Sequence, residues 1–479
     1  MADNKHPAPA PVAAPPKQTT FKERLAYWLY FYGQSMSWQA LNAFLATYLM
    51  MVGIDITKIA TAMVFVKLWD SINDTIFGVI FDKVHFKSGN KNIPWLRMTV
   101  ILIPLMTIFV YLIPDSLNPT AKLAWFIVGY LLWDASYTLS DIPLYNMSTA
   151  MTTNTEERSG MLSIARVWAM AGGLLVTLMG SFLVSERIGM SFTKTVAIIA
   201  FLVFLTMIPL GFRGKERIKI KPAEEKYTFR RMFKYLGHNK YLFLYYGAYV
   251  ISGLTGTGAA LGLFVSYYLF GSALFTTLLS ILTAIPIAIE SLFINRILKH
   301  VDKFRFYFWC EVASVSVGLI IYLVGYRNVV LYIALVVLQA LPLGFLMMLN
   351  LTFTPDLVEY GRYKTGIDAR GIAFAFQSFA AKFISLAQPI GLFILGLFGW
   401  ISVNASSFAE LQAKHITQSS MALNGLWITS ALIPVIGGAI SLIPLLFYKL
   451  NDKDVQVMAR FNNGEITREE AEKSLSRKY

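Results

Sequence analysis

Two acidic side chains lie within a segment that is otherwise apolar enough to cross a membrane. In the stretch KLWDSIND, Asp70 and Asp74 are one helical turn apart and Asn73 lies beside them. This spacing places both carboxylates on one helix face, with the Asn73 amide as a neutral oxygen donor. Two such acids repel each other, and a bound cation or protonation of one acid relieves the repulsion. The pattern therefore predicts a monovalent-cation site; the alternative is permanent neutralisation by Lys67 or by a basic residue of another span.

A second polar stripe follows in the stretch WDASYTLSDIPLYNMS. Its members recur at the helical spacings i, i+3, i+4 and i+7 and one turn beyond: Asp134, Tyr137, Thr138, Asp141 and Tyr145. Carboxylates accept hydrogen bonds from hydroxyl groups, and flat aromatic rings stack on the apolar face of a pyranose. An aromatic stripe alone is typical of core packing. Two acids within the stripe favour a sugar-binding face instead.

Other polar residues lie in apolar segments and are candidates for the same site. Arg166 and Lys382 are possible charge partners of the acids, either fixed or alternating between acid and substrate. Gln34, Trp38 and Asn42 recur at i, i+4 and i+8, so they either line the same cavity or bond between helices.

The sequence assigns no role to Glu290 and supports no enzymatic chemistry. Cys310 is the only cysteine, so an intrachain disulfide is excluded and a buried packing role is expected. The five histidines fall in predicted tails, loops or helix ends. Metal-ligand spacing, a glycine-rich phosphate loop and a nucleophile motif are missing from the sequence, so we expect a protein that is not an enzyme and has no cofactor.

Long apolar elements must hold these polar residues in place. Of the 479 residues, 56% are hydrophobic and 15% charged, against about a quarter charged in soluble domains, and the mean hydropathy is +0.54. This composition predicts an all-α polytopic membrane protein. Apolar segments long enough to cross a hydrocarbon core of about 30 Å recur along the chain. We count about twelve, with approximate limits 25–52, 58–82, 97–114, 122–149, 160–184, 194–212, 241–270, 273–298, 306–326, 328–353, 371–400 and 421–448.

The formal charge of +14 reflects membrane topology rather than nucleic-acid binding. Lys and Arg gather in the tails and in alternate loops and form no basic face interleaved with aromatic residues. By the positive-inside rule both termini are cytoplasmic, which requires an even number of spans. We expect a disordered tail (1–24), a six-helix bundle (25–212), a cytoplasmic linker (213–240), a second six-helix bundle (241–450) and a cytoplasmic tail (451–479) in which Thr467 and Glu470 cap a short helix.

Five motifs in order resemble one transporter family. They are WDSIND, FKSGNKNIPWLR, YTLSDIPLY, ARVWA around Arg166 and LVEYGRYKTG. Together they are similar to the glycoside–pentoside–hexuronide:cation symporters, the branch of the major facilitator superfamily that includes melibiose permease. The resemblance runs from about residue 25 to about residue 450 and implies the major facilitator fold, with the substrate site between the two halves near the membrane midplane.

The resemblance also implies roles for the residues named above. The cation site falls on Asp70, Asn73, Asp74 and Thr138, with Asp70 and Asp74 as the Na⁺ ligands if sodium is the coupling ion. The sugar contacts fall on Asp141, Tyr145, Arg166 and Lys382, and the polar stripes add Asp134, Tyr137, Gln34 and Trp38. Asn73 beside two acids favours Na⁺ over a proton, and both remain open.

The expected function is import of a glycoside or pentoside by symport with Na⁺ or H⁺ through alternating access. The partners would be the sugar, a monovalent cation and membrane lipid, with no nucleic acid, and the functional unit would be a monomer in the plasma membrane of a bacterium. The alternative is an uncoupled uniporter or an exchanger of the same fold. We further expect ion pairs that latch the cytoplasmic side while the outer side is open, from Asp82, Lys83, Arg97, Asp356 and Arg362.

Overall fold

The computed structural model describes residues 17–218 and 237–479, with the backbone alone at residues 71, 72, 75, 79, 82 and 351. Helices dominate both described ranges, where one isolated β-bridge joins Val52 to Asn404. The N-terminal half contains α1 (Phe21–Met51), α2 (Ile56–Lys83), α3 (Ile93–Val110), α4 (Pro119–Met151), α5 (Thr155–Val184) and α6 (Phe192–Arg213).

The C-terminal half repeats this plan with more interruptions. Its long helices are α7 (Lys240–Phe270), α8 (Leu274–Ile297), α9 (Lys303–Val324), α10 (Val329–Leu349), α12 (Arg370–Leu397) and α14 (Ser420–Leu446). Shorter helices are α11 (Thr354–Thr365), α13 (Phe408–Ala413), α15 (Asp452–Asn462) and α16 (Arg468–Ser474). A 3₁₀ segment, Gly253–Leu261, lies within α7, and a π-helical turn, Ile428–Leu432, lies within α14.

Within the described ranges, 9 helices are long and apolar enough to cross a membrane. They are α3, α5 to α10, α12 and α14. The remaining expected spans correspond to α1, α2 and α4, which have 31, 28 and 33 residues and carry most of the polar stripes. The prediction of an all-α membrane protein is confirmed, and each expected span falls on a helix.

Side-chain caps account for several helix starts. Thr20 and Glu23 form a capping box at the start of α1, four residues before the predicted span limit. Asp55 caps α2 through its carboxylate. Thr467 and Glu470 form a capping box at α16, as the sequence predicted.

Close helix approaches hold the N-terminal half together. α1 packs along α5 and α6, and α3 packs against α4 and α6. At Gly172 of α5 an added Cβ would lie 2.5 Å from the carbonyl oxygen of Tyr32 in α1, so only glycine permits this contact. Most buried apolar side chains of this half belong to one cluster, which also includes side chains of the C-terminal half.

Both chain ends lie at one face of the bundle, here called the chain-end face. The backbone N–H groups of Gln18 and Thr19 donate to the Glu157 carboxylate at the start of α5, at 2.9 and 3.1 Å. Near the other terminus the N–H of Asp452 donates to the Asp302 carboxylate just before α9, at 2.9 Å. Residues 1–16 of the expected tail and 219–236 of the expected linker lie outside the described residues.

The two halves join at the face opposite the chain ends. There the N–H of Ala405 donates to the carbonyl oxygen of Met51 at 2.8 Å. The N–H of Ala273 donates to the Glu186 carboxylate at 3.0 Å. Between the faces, α1 packs against α7, α2 against α12 and α5 against α8. The halves are therefore closed together at the opposite face.

Two of the residues predicted to latch the chain-end face, Asp356 and Arg97, have partners within their own halves. Asp356 of α11 forms an ion pair with Lys303 of α9, and Arg97 Nε donates to the carbonyl oxygen of Gly211 at 3.3 Å. The Asp82 side chain lies outside the described residues. The latch stays a prediction for a state in which this face is closed.

Candidate functional site: a charged cavity between the two halves

A cavity of about 650 Å³ lies where α1, α2 and α4 of the N-terminal half face α12 of the C-terminal half. The Asp74 and Tyr145 side chains are about half exposed, 50% and 49%, so the cavity is open to solvent. Its lining combines four carboxylates, two ammonium groups, three aromatic rings and small side chains: Trp38, Lys67, Asp70, Asp74, Asp134, Tyr137, Thr138, Asp141, Ile142, Tyr145, Ser378, Ala381, Lys382 and Ser385.

An ion pair across the two halves stands at the centre of this cavity. Lys382 Nζ of α12 lies 2.6 Å from Asp74 Oδ2 and 3.6 Å from Asp70 Oδ1. It also donates to the backbone carbonyl oxygen of Asp70 at 2.7 Å. The counter-charge for the two acids therefore comes from the other half of the protein, and Lys67 forms no ion pair with them.

Asn73 ties α2 to α4 beside this ion pair. Its Nδ2 donates to Asp134 Oδ2 at 2.9 Å and to Thr138 Oγ1 at 3.1 Å, and Thr138 Oγ1 donates to Asp74 Oδ1 at 3.3 Å. The sequence placed Asp134 with the sugar contacts, whereas here it is the direct partner of Asn73. Asp134 thus joins the group of oxygens around the predicted cation.

The oxygens of this group suit a monovalent cation. Asn73 Oδ1 is buried and has no hydrogen-bond partner, so it is a free oxygen ligand beside the carboxylates. Alkali cations are hard and prefer oxygen ligands of this kind. Within residues 17–218 and 237–479, no group of three or more His, Cys, Asp or Glu side chains is arranged to hold a metal ion. A cation here would be held by carboxylate, amide and hydroxyl oxygens together.

A second group of residues lies one to two turns further along α4. Gln34 Nε2 of α1 donates to Asp141 Oδ1 at 3.3 Å, which leaves the other carboxylate oxygen for a ligand. The Tyr145 ring packs edge-on against Phe31, with centroids 5.3 Å apart, so its face is held in one orientation. A carboxylate beside an ordered aromatic face matches what a pyranose requires.

Aromatic rings also surround the buried ammonium of Lys67. The Trp38 ring lies 5.5 Å from that of Tyr137 and is 38% exposed, which gives the cavity an apolar wall. Lys67 Nζ lies 5.6 Å from the centroid of Trp38 and 5.5 Å from that of Tyr130. These cation–π contacts explain how a buried ammonium is tolerated without a carboxylate at ion-pair distance.

Comparison with known proteins shows the family of this chain. The family model described as MFS/sugar transport protein matches residues 29–452. The chain belongs to this family. Over 436 residues it is 24% identical to the uncharacterized symporter YnaJ of Bacillus subtilis (strain 168), covering 88% of this chain and 90% of that protein. The isoprimeverose transporter of Lactiplantibacillus pentosus is 22% identical over 459 residues, covering 92% of this chain and 91% of that protein.

Solved structures support the same fold. An inward-facing, unoccupied bacterial homologue of the human lysosomal transporter Spinster aligns with a TM-score of 0.62 at 11% identity, covering 94% of this chain and 100% of that chain. Members of the MFS/sugar transport family are membrane transporters, so the expectation that this protein is not an enzyme is confirmed, as is the resemblance to this superfamily.

Four of the polar residues that the sequence offered as site candidates are not part of the cavity lining: Gln34, Asn42, Asn73 and Arg166. Arg166 of α5 is exposed and is not part of the lining, so its sugar contact stays a prediction. Asn42 joins the halves through its backbone, because Gln388 Nε2 donates to its carbonyl oxygen at 3.1 Å. Within the stripe, Trp38 therefore lines the cavity, while Gln34 and Asn42 bond to other helices.

Ser378 and Ser385 line the cavity and were not predicted. They lie one turn on either side of Lys382 in α12, at spacings i−4 and i+3. That polar stripe around a buried lysine was a detectable signal. The role of Lys67 was not detectable, because its ring partners lie on other helices.

Proposed function

We propose that the protein is a secondary active transporter that imports a glycoside or pentoside by symport with a monovalent cation, Na⁺ or H⁺, through alternating access. The observation that carries the proposal is the arrangement of Asp70, Asn73, Asp74 and Thr138 next to a solvent-open cavity with an ordered aromatic face. The names of the relatives, a symporter and an isoprimeverose transporter, support the same class of substrate and coupling.

Orientation follows from the charge distribution. The described parts of the basic loops and of both tails lie at the chain-end face, which the positive-inside rule assigns to the cytoplasm of a bacterial plasma membrane. The halves are joined at the opposite face, by the Ala405 to Met51 and Ala273 to Glu186 contacts. The structure then corresponds to a state open toward the cytoplasm, from which sugar and cation leave.

The ion pair of Lys382 explains how the protein returns to the outside after it has released the cation. Once the cation has left, the Lys382 ammonium neutralises Asp74 and Asp70, so the empty carrier can return without two unpaired acids inside the membrane. A cation that binds from outside displaces the ammonium and frees Lys382 to face the sugar. Because the sugar site at Asp141 lies on the same helix as Thr138, sugar and cation tighten each other's binding by the same factor.

The membrane potential supplies enough free energy for accumulation. One elementary charge that moves inward through a potential of about 100 mV releases about 2.3 kcal/mol. That corresponds to a concentration ratio of nearly fiftyfold at about 1.4 kcal/mol per factor of ten. The functional unit in this proposal is the monomer, since one chain supplies both halves of the cavity.

An uncoupled uniporter is the second candidate, and the same ion pair favours it. If Lys382 neutralises Asp70 and Asp74 throughout the cycle, the acids need no external cation. The two candidates differ in whether the ammonium leaves the carboxylates when sugar is transported.

Uptake into proteoliposomes separates the candidates. We expect sugar accumulation to require an inward Na⁺ or H⁺ gradient, and Asp74→Asn to abolish accumulation while sugar exchange across the membrane persists. The matched control is Glu472→Gln, which removes an exposed acid paired with Arg468 in the C-terminal tail. The protein would be a uniporter if wild-type uptake did not depend on either gradient and the Asp74→Asn variant took up sugar as the wild type does.

A further inference from the structure

A second cavity lies inside the C-terminal half, away from the cavity between the halves. Its volume is about 330 Å³, and its walls come from α7, α8, α9, α10 and α14. One apolar cluster covers most of the N-terminal half and reaches into the C-terminal half as far as Leu426, and two further clusters lie within the C-terminal half alone. Ile321, Tyr332 and Trp427, which form one of these clusters, line one side of the cavity. The cavity therefore lies beside an apolar cluster of the C-terminal half.

The polar wall of the cavity offers several oxygen acceptors. Several lining hydroxyl groups donate their single proton to a backbone carbonyl of their own helix. Ser280 donates to Thr276 at 2.8 Å, Thr283 to Leu279 at 2.8 Å and Ser430 to Leu426 at 2.7 Å. A hydroxyl whose proton is used in this way can present only oxygen lone pairs to a ligand.

Thr276 and Gln339 offer further acceptors. Thr276 Oγ1 donates to Ser266 Oγ at 2.7 Å, and Gln339 Nε2 donates to the carbonyl oxygen of Ser314 at 3.2 Å. The Gln339 carbonyl oxygen is thereby left as a further acceptor. Gly318 makes room for this amide, since a Cβ added there would lie 2.8 Å from Gln339 Nε2.

A carboxylate completes the acceptor wall. Glu311 of α9 is 4% exposed and lines the cavity, and Ser441 Oγ shares its proton between the Gly438 carbonyl oxygen at 2.7 Å and Glu311 Oε1 at 3.0 Å. At Gly438 an added Cβ would lie 3.3 Å from the same carboxylate oxygen, so the glycine leaves space for the acid. Glu311 is the only acidic residue in this lining, which contains no Lys, Arg or His among the described residues.

These observations define the ligand by charge and by chemistry. The lining holds a carboxylate with no basic side chain to neutralise it, so among these oxygen acceptors it repels an anion and attracts a cation. A monovalent cation balances the single negative charge, while a divalent ion would leave an uncompensated charge in the membrane interior. The volume also admits several waters of about 30 Å³ each, so the ion can keep part of its hydration.

We propose that this cavity binds an alkali cation, coordinated by Glu311 and the surrounding hydroxyl and amide oxygens. The site is separate from Asp70 and Asp74 and does not depend on the proposed coupling there. Bound at this place, the ion joins α9 to α8 and α10 and fills a gap in the core of the C-terminal half.

Thermal unfolding of the purified full chain tests the proposal in a variant in which Asp70 and Asp74 no longer carry a negative charge. In Asp70→Asn/Asp74→Asn protein we expect NaCl, KCl or RbCl to raise the unfolding midpoint by about 2 °C or more over choline chloride at equal ionic strength. Adding Glu311→Gln should abolish the rise. Adding Glu290→Gln, a buried acid outside this lining, should leave it unchanged.

A direct probe keeps the test decisive if the variants do not fold. Crystals of the wild-type protein soaked in RbCl should give an anomalous peak beside Glu311. A peak confined to Asp70 and Asp74, or a cation-dependent rise that survives Glu311→Gln, overturns the proposal. Neither readout involves sugar uptake, so a failure here is distinct from a failure of the coupling at Asp74.

Discussion

Lys382 Nζ lies 2.6 Å from Asp74 Oδ2, so an ammonium of the C-terminal half neutralises a carboxylate of the N-terminal half. A fixed ion pair and a mobile competitor for the coupling cation would both produce this contact. In the proposed transport cycle, this contact joins parts of the chain that would separate as the halves rock. How tightly the ammonium holds the acids therefore sets how readily a cation replaces it.

Lys382→Met removes the competitor and keeps the length of the side chain. We expect the dissociation constant of the coupling cation to fall about tenfold, which is about 1.4 kcal/mol. Calorimetric titration of the purified protein with NaCl, or with protons at constant NaCl, measures the change. Lys414→Met is the control, because Lys414 pairs with Glu410 far from the cavity. Unchanged or weaker cation binding would contradict the competition.

Asp134 and Asp141 lie on the same helix and should have separable effects. Asp134 accepts from Asn73 at 2.9 Å, and Asp141 accepts from Gln34 at 3.3 Å. Asp134→Asn should alter cation affinity and leave sugar affinity at saturating cation within about twofold, since the amide still fits the space. Asp141→Asn should do the reverse. Sugar and cation titrations by intrinsic fluorescence measure both constants, and equal effects of the two variants on sugar would return Asp134 to the sugar site.

Gln34 is expected to position Asp141 for the sugar. Gln34→Ala removes the donor to Asp141 Oδ1, and loss of such a bond costs about 1 kcal/mol, or about fivefold in sugar affinity. Gln39→Ala is the matched control, because Gln39 lies in the same helix and donates to Thr177 Oγ1 at 2.9 Å, outside the cavity. Direct binding of a labelled glycoside distinguishes the two. Equal losses in both variants would indicate a packing effect.

Glu290 is expected to destabilise the C-terminal half. It is 3% exposed, neither carboxyl oxygen has a hydrogen-bond partner, and a Cβ added at Gly344 would collide with one of those oxygens. Glu290→Met should therefore raise the free energy of unfolding by about 1 to 3 kcal/mol. Glu311→Met should lower it, because Ser441 then loses its carboxylate partner. Thermal unfolding in detergent shows whether each variant is more or less stable than the wild type. A less stable Glu290→Met protein would mean that the carboxyl group has a partner in the membrane.

Asp356 makes stability depend on pH at the chain-end face. Burial raises the pKa of Asp356 to about 6 from its ordinary value of 3.8, against the opposing effect of Lys303. Between these values the folded state binds more protons than the unfolded state, so stability falls as pH rises from about 4 to about 6. Asp356→Asn removes this slope. As pH rises from about 4 to about 6, the unfolding midpoint of the wild type should fall relative to that of the variant. A difference between the two midpoints that stays constant over this range would exclude the effect.

The helices and their polar faces could be read from the sequence because both depend on local periodicity. Each expected span falls on a helix, and the cap at Thr467 and Glu470 forms as its residue types require. The stripe on α4 does face a cavity. These features need only a hydrophobic period and the chemistry of neighbouring residues.

Contacts between distant segments could not be predicted. Asp134 bonds to Asn73 because of how α2 and α4 are rotated about their axes, and neither rotation is encoded in the spacing of a single stripe. The choice of Lys382 over Lys67 as the counter-charge depends on α12 reaching across the two halves. Lys67 lies between aromatic rings of α1 and α4 for the same reason.

The single thiol of the chain has a practical value for following the motion of the halves. Cys310 is buried in α9, so spin labels or fluorophores that react with thiols will attach to cysteines introduced on the surface in preference to it. Pairs of probes on the exposed tips of α2 and α12 would then report, molecule by molecule, how far apart the two halves are with each ion and each sugar.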